Sequence, residues 1–347
     1  MSAAGKLPPS SMEAVYGHLG ARSEKVVHGP GKGLDNGVLR LGGGKVMIVS
    51  ADPVSVMPVV GMRRSAWMSV HLIASDFTAA GVDPEFAVFT YNFPPDMKAG
   101  DRVEYVGAIG DECAELGITI AAGHSGSYPG AGYTVIGGGV MFGLAPDDGY
   151  VTPSMARAGD VVLVTKHAAI EAAASLALSF PEFTERAVGG KEARLARSLL
   201  QRCSTVADAR AARRAGLKTA VTSMHDATEG GVLGGLDEMS AASGKSFVVD
   251  ADRIPVPREA ADVCAAFGVD PLRTMGEGAL LITCRPGRAK KLEETLGGSG
   301  VGATAVGRVS AGKGLWVSRG DGRPRRFEEA PDAYWAAYAR AAAEGLR

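Results

Sequence analysis

The chain has 347 residues and sets 37 lysines and arginines against 38 aspartates and glutamates. That length exceeds one small core and predicts two α/β domains. The charge balance excludes a partner recruited by bulk charge, such as nucleic acid or an anionic membrane surface, and leaves a small molecule as the expected partner.

The four cysteines, Cys113, Cys203, Cys264 and Cys284, are far apart with no C-x-x-C spacing, which predicts buried, reduced thiols in a cytoplasmic protein. The opening MSAAGKLPPSSM has no apolar core of a secretion signal. No uninterrupted apolar run approaches the roughly 18 residues of a membrane helix.

KVMIVSA (45–51) reads as a buried strand ended by Asp52-Pro53, because proline has no N–H for a ladder. Ala66, Val70, Ile73, Phe77 and Ala80 recur at helical spacing between Ser65 and Gly81, with Gly81 as C-terminal cap. Asp76 then falls in the last turns of an apolar helix. EFAVFTYNF (85–93) reads as a strand and 101–116 as a helix stopped by Gly117. ITIAA (118–122) reads as a strand running into a loop at Gly123-His124-Ser125-Gly126. YTVIGGGVMFGLA (133–145) is a strand pair or one long bent strand. The Pro-, Asp- and Gly-rich segment 146–160 predicts the junction between a first domain, 1–150, and a second, 151–347. There, strands at 160–166, 219–224, 246–251 and 278–284 alternate with helices at 168–180, within 191–216, at 231–242 and at 258–267. The tail from Asp332 to Arg347 reads as an amphipathic helix packed on the second domain.

Two nucleotide motifs are excluded. In GGGKVM (42–47) the lysine precedes Val46 where a P-loop needs Ser or Thr, and the segment leads into a strand. GPGKGLDNG (29–37) lacks the dinucleotide-binding spacing, although its glycines allow a nest of amides around an anion. Asp35 in that loop, Asp52 at a strand end and Asp76 in the helix together suit Mg²⁺, a hard cation that takes carboxylates, waters and phosphate oxygens. Singly, Asp35 and Asp52 read as turn residues and Asp76 as a local cap or ion-pair partner.

His124 in AAGHSGS is either presented to a ligand or simply solvated. In SMHDATEGGV (223–232) a strand ends at His225-Asp226 and a helix begins near Gly230, so the helix mouth offers free N–H groups, with Thr228 or Asp226 as its cap. The Gly230-Gly231 pair is costly in a first turn and calls for close approach by a ligand or by another stretch of backbone. Glu277, between two glycines ahead of a buried strand, repeats the theme or marks a plain turn.

Gly5-Lys6-Leu7, GPGKGLDNGVL, VSADPV, LIASDFTAAGVDP, AAGHSGS and HDATEGGVLGGLDEMSAASG, followed by IPV and DPL…GEGALLI, stand in order along nearly the whole chain. In that order they resemble the motifs of the aminoimidazole ribonucleotide (AIR) synthase superfamily, the PurM-like ATP-using enzymes that include thiamine-monophosphate kinase, selenophosphate synthetase and the hydrogenase maturation factor HypE. The resemblance implies a PurM-like two-domain α/β (α+β) fold. Its N-terminal mixed sheet would join a second copy's in a barrel-like homodimer interface, its C-terminal α/β domain would carry ferredoxin-like elements, and ATP would lie in a cleft between subunits. It makes Asp35, Asp52 and Asp76 the Mg²⁺ and phosphate ligands and adds Lys6 to the nucleotide site. Gly123, His124 and Ser125 would contact the triphosphate, while Asp226, Thr228, Gly230 and Gly231 would face the nucleotide or the acceptor. Candidate catalytic groups are Asp226, His225 and His124. Phosphoryl transfer asks mainly for positioning and charge neutralisation, which suits this set.

The chain departs from the better-known members. HypE acts through a C-terminal cysteine, whereas this sequence ends AAAEGLR, so self-modifying, cyanide-forming chemistry is not expected. No cysteine precedes Cys113, where selenophosphate synthetase has its reactive residue near the N-terminus. Thiamine-monophosphate kinase has Asp in place of His124 and an Asp-Asp pair in place of Asp35-Asn36. An AIR-synthase-related, HypE-like branch matches best. The expected function is ATP-dependent, Mg²⁺-assisted phosphorylation or activation of a small-molecule oxygen of an amide, carbonyl or hydroxyl. The alternatives are a nucleotide-binding maturation or regulatory factor without catalysis and a metabolite kinase resembling thiamine-monophosphate kinase.

Overall fold

A computed structural model describes residues 5–7, 9–320 and 322–347. The first part runs α1 (Pro9–Tyr16), β1 (Val26–His28), β2 (Gly37–Gly42), β3 (Lys45–Ser55), α2 (Met62–Thr78), β4 (Phe86–Phe93), α3 (Ala99–Leu116), β5 (Thr119–Ser127) and β6 (Val135–Pro146). These strands form one mixed sheet in the order β1-β2-β3-β6-β4-β5, in which only β4 and β5 are parallel. The second part opens with β7 (Val161–Thr165), α4 (Ile170–Ser179), α5 (Pro181–Val188), α6 (Gly190–Ser198), α7 (Val206–Ala215), β8 (Val221–Asp226) and α8 (Gly231–Ser243). It continues through β9 (Ser246–Asp250), α9 (Arg258–Phe267), β10 (Leu280–Cys284), α10 (Ala289–Gly297), β11 (Ala303–Ser310), β12 (Gly314–Ser318), β13 (Arg325–Arg326) and α11 (Ala333–Ala343). Its seven strands pair in the order β13-β12-β9-β11-β7-β10-β8.

Hydrophobic periodicity places these elements. The face of α2 carrying Ala66, Val70, Ile73 and Phe77 is buried against Phe89 of β4 and Met141 of β6, which fixes the angle at which its last turn delivers Asp76. The alanine-rich α4 is core, buried from Ile170 to Ala177 and packed with α9 and α11, so the tail helix lies on the second part as its pattern predicts. All four cysteines are buried and free. Among the described residues no helix is long and apolar enough to cross a membrane.

Two expectations are corrected, and a third stretch carried none. Pro53 does not stop β3, which pairs with β6 as far as Ser55, Pro53 opposite Gly138. The ladder with β2 has already ended at Val49, so the missing N–H is on a side with nothing left to bond. The strand begun by ITIAA does not stop before Gly123; β5 runs to Ser127 and pairs His124 with Thr90 of β4. Third, α10 and the strands β11 to β13 escaped the sequence reading. In β11 the register shifts between Ala305 and Gly307, where an added Cβ would strike the Val248 carbonyl, and such a bulge erases period-2 patterning.

His71 of α2 links the two parts. Its ring stacks on Trp67 at 4.4 Å between centroids, and Nδ1 is 2.9 Å from Ser204 Oγ in the segment leading into α7. Burial, and then the Arg210 charge, push its pKa down to about 4. Glu112 lies 3.6 Å away, but with so low a pKa the ring is neutral and the two do not form an ion pair near neutral pH. The folded pKa lies below the ordinary 6.5, so the stability this residue contributes is complete above that value and is lost as pH falls toward about 4. The melting temperature is expected to drop across that window in the wild type and to drop less in His71→Gln, read by thermal denaturation at stepped pH.

Candidate functional site

The site is built around the C-terminal end of β8. All six of its residues are buried, so the strand delivers its last two, His225 and Asp226, into a place without solvent. His225 is 1% exposed, with Nδ1 2.6 Å from Asp35 Oδ2 and Nε2 3.0 Å from Glu238 Oε2. Burial works against its charge, but Asp35 and Glu238 outweigh it and raise its pKa to about 10. An imidazolium donating from both nitrogens is the physical result. Glu238, on α8, is held down to about 2 despite burial by the bond from His225 and by Lys6.

The glycine-rich loop before β2 is positioned by this ion pair and by packing. Gly33 lies directly on the backbone of Glu238, where any Cβ would collide with the carbonyl. Asn36 Nδ2 donates to the Asp76 carbonyl at 2.8 Å. The loop therefore docks Asp35 onto α8 and the end of α2. Lys6 reaches the same helix, its Nζ 3.0 Å from Glu238 Oε1 and 2.9 Å from Thr228 Oγ1.

Behind this frame lies a cluster of carboxyl groups, of which Glu171, Asp226 and Glu277 are buried. Burial, followed by Asp35, pushes Asp226 up to about 7. Burial pushes Asp52 up to about 7 against the Lys6 charge, with Glu229 and Asp35 adding to the effect. Asp76 is raised well above the carboxylate range by burial and then by Asp226, Asp52, Asp35 and Glu277. Glu277 is raised likewise by burial, Asp226 and Glu171, and Glu171 is lifted to about 8 by burial, Glu229 and Asp332. Several of these acids raise one another, Asp76 and Glu277 through Asp226 and Asp52 in particular, so their titrations are linked.

Neither carboxylate oxygen of Asp226, nor Glu277 Oε2, nor Glu171 Oε2, has a hydrogen-bond partner among the described residues. Buried acids without partners are expensive unless protonated or bound to a cation. Ligand atoms of Asp35, His225 and Asp226 lie within 4.8 Å of one another. Both imidazole nitrogens are committed to carboxylates, which leaves an oxygen donor set of the kind a hard divalent cation takes. The residues present fit Mg²⁺.

The mouth of α8 differs from expectation. Neither Thr228 nor Asp226 caps it. Gly230, left-handed at φ 83°, donates its N–H to Asp332 Oδ2 at 2.9 Å, and the other Asp332 oxygen accepts from Thr274 Oγ1 and the Tyr334 N–H. The Thr228 hydroxyl accepts instead from Lys6 Nζ. The glycine pair is explained by backbone approach: at Gly231, φ 63°, an added Cβ would be 2.6 Å from the Thr274 carbonyl and 2.9 Å from that of Leu272.

Gly123, His124 and Ser125 are not brought to the acids within one chain. They lie on the exposed edge strand β5, where His124 Nε2 is 2.7 Å from the Tyr128 hydroxyl. In the sheet order β5 is three strands from β3 and Asp52, roughly 14 Å at ordinary strand spacing. Sequence reasoning missed Glu171, Glu229, Glu238 and Asp332. Glu171 carried a signal, an acid in the first turn of an otherwise apolar helix.

The model for the AIR synthase related protein, N-terminal domain, matches residues 33–145, and that for the C-terminal domain matches residues 157–318. The chain belongs to the AIR synthase related family. Carbamoyl dehydratase HypE of Rhizobium leguminosarum bv. viciae is 26% identical over 316 residues, 86% of this chain and 85% of its own length. Thiamine-monophosphate kinase of Halobacterium salinarum is 29% identical over 251 residues, covering 71% of this chain and 77% of its own. A crystal structure of the hydrogenase maturation protein HypE in complex with ATP shares the fold with a TM-score of 0.63 at 18% identity, over 91% of this chain and 90% of that one. This AIR-synthase-related protein builds its acidic chamber from both halves. Asp35, Asp52 and Asp76 lie in the region matched by the N-terminal model, and Glu171, Asp226 and Glu277 in that matched by the C-terminal one.

Proposed function

We propose that the protein is an ATP-dependent, Mg²⁺-assisted enzyme that transfers a phosphoryl group to, or otherwise activates, the oxygen of a small molecule. The observation that carries this reading is the set of buried carboxylate oxygens on Asp226, Glu277 and Glu171 that have no protein partner. Asp35, Asp52, Asp76 and Asp226 would hold the cation, which when bound supplies neutralisation of phosphate charge. The chain's own residues do the rest by positioning. His225 orients Asp35 and Glu238, Glu238 and Thr228 hold Lys6 at the edge of the chamber, and the buried strand β8 excludes water from behind Asp226. The ATP-bound HypE structure and the kinase relative support the choice of nucleotide. Mg²⁺-dependent ATP turnover by the purified chain tests it.

A second reading, a nucleotide-binding maturation or regulatory factor without catalysis, is favoured by one observation: Asp332 already takes the Gly230 N–H at the helix mouth. It predicts ATP binding without turnover.

The division into 1–150 and 151–347 belongs to the same proposal, supported by the two sheets lying on either side of it. So does a homodimer formed along β5. Eight of the nine β5 residues are exposed, a strand open on both faces, and Ile120, Tyr128, Tyr133 and Val135 add exposed apolar surface. A long bare edge of this kind is normally covered. A second copy seated there would bring its own Gly123-His124-Ser125 segment toward the interface. Sedimentation equilibrium is expected to return twice the 35.6 kDa chain mass, and Ile120→Lys to shift it toward the single-chain value.

A further inference from the structure

Away from the acidic chamber, a cavity of about 370 Å³ opens between the β12–β13 hairpin, the loop after α9 and the first turn of α8. Five arginines line it: Arg273, Arg319, Arg323, Arg325 and Arg326. The acids facing them are Asp270 and Glu328, and counting Asp321, next to them in sequence, against the group still leaves two positive charges in excess. In a chain whose overall charge is −1, such a concentration is local and gives this cavity a positive potential.

Parts of the cavity are preorganised. The Arg273 guanidinium lies over the Phe327 ring, 4.7 Å from its centroid, and donates to the Glu328 carbonyl at 2.7 Å. Arg319 is held 3.2 Å from Asp270 Oδ2, while the other oxygen of Asp270 accepts from the Leu272 N–H. Leu233, Val317 and Phe327 supply apolar wall. A volume of this size takes a small ligand, and planar guanidinium forks on an aromatic support suit paired oxyanions better than a single charge.

We infer that this cavity is a binding site for a small polyanion with two or more closely spaced negative charges, a phosphate monoester or diphosphate, separate from the nucleotide site. It is back to back with the mouth of α8. The Leu272 and Thr274 carbonyls press on Gly231 and the Thr274 hydroxyl holds Asp332, whereas Arg273, between them, turns its side chain to the cavity. None of the chamber carboxylates lines it.

The test is calorimetric titration of pyrophosphate at low salt with a chelator present, so that no cation can recruit the probe to the acids. Wild type and Asp226→Asn are expected to bind equally, which keeps this outcome independent of the proposed enzymatic activity. Arg323→Ala/Arg325→Ala, two exposed positions, is expected to bind at least about tenfold more weakly, and Arg273→Ala likewise, while the exposed Arg288→Ala, remote from the cavity, is unchanged. Absence of binding to wild type overturns the inference, as does equal weakening by Arg288→Ala or loss in Asp226→Asn alone. A short single-stranded oligonucleotide that binds more tightly than pyrophosphate would overturn the small-ligand assignment.

Discussion

Asp226→Asn is expected to lower Mg²⁺-dependent ATP turnover by at least about 100-fold, the scale set by removing one preorganised charge from a phosphoryl-transfer site. Stability should move the other way. Asp226 is fully buried and its carboxyl is already pushed up to about 7 by burial and Asp35, so a neutral amide of the same shape removes a partly charged buried acid and leaves the melting temperature unchanged or higher in the absence of metal. Loss of activity with no loss of fold separates a functional acid from a structural one. Turnover and thermal denaturation on the same preparations read both. Retained turnover would remove Asp226 from the chemistry, and a collapsed melting temperature would make it a structural residue.

His225→Ala is expected to act in the opposite sense, costing about 3–5 kcal/mol of folding stability. His225 is the buried cation shared by Asp35 and Glu238, and truncating it strands two carboxylates in a place where burial alone already opposes charge. The bond to Asp35 also joins β8 of the second sheet to the loop that feeds β2 of the first, so its loss loosens the seam on which the chamber is built. Urea denaturation measures the cost. His225→Gln, which keeps a donor, is expected to recover part of it, and a change below about 1 kcal/mol in the alanine variant would show that the imidazolium is not the link described.

Much of the fold was legible because burial follows periodicity. The apolar stripe of α2 and the terminal Gly117 and Gly244, left-handed at the ends of α3 and α8, are local signals that tertiary structure left intact. The misreadings have physical causes. Pro53 looked like a strand end because sequence does not show that β2 has already stopped pairing at Val49. The glycines and histidine after ITIAA looked like a loop because an edge strand open on both faces has no buried alternation to betray it. At the site, Asp35, Asp52, Asp76 and Asp226 were visible together, although each alone also reads as a turn or cap residue, and Asp52 lies within β3 and not at its end. Their convergence depends on contacts between distant parts of the chain, such as Asp35 with His225 across 190 residues and Gly230 with Asp332 across 102, which no local pattern encodes. Of the two readings of the Gly230-Gly231 pair, approach by another stretch of backbone holds at Gly231, which meets residues 272–274, while Gly230 is set by its left-handed φ of 83°.

We propose that the carboxyl cluster at the end of β8 holds ATP through Mg²⁺. Calorimetric titration of ATP into the wild-type chain, with and without Mg²⁺, and into Asp76→Asn tests it most directly. Binding is expected to require Mg²⁺ and to weaken at least about tenfold in the variant, because the Asp226 and Asp52 charges act on Asp76 and the three would hold one cation. Binding of equal strength with a chelator present, or no binding at all, would contradict it.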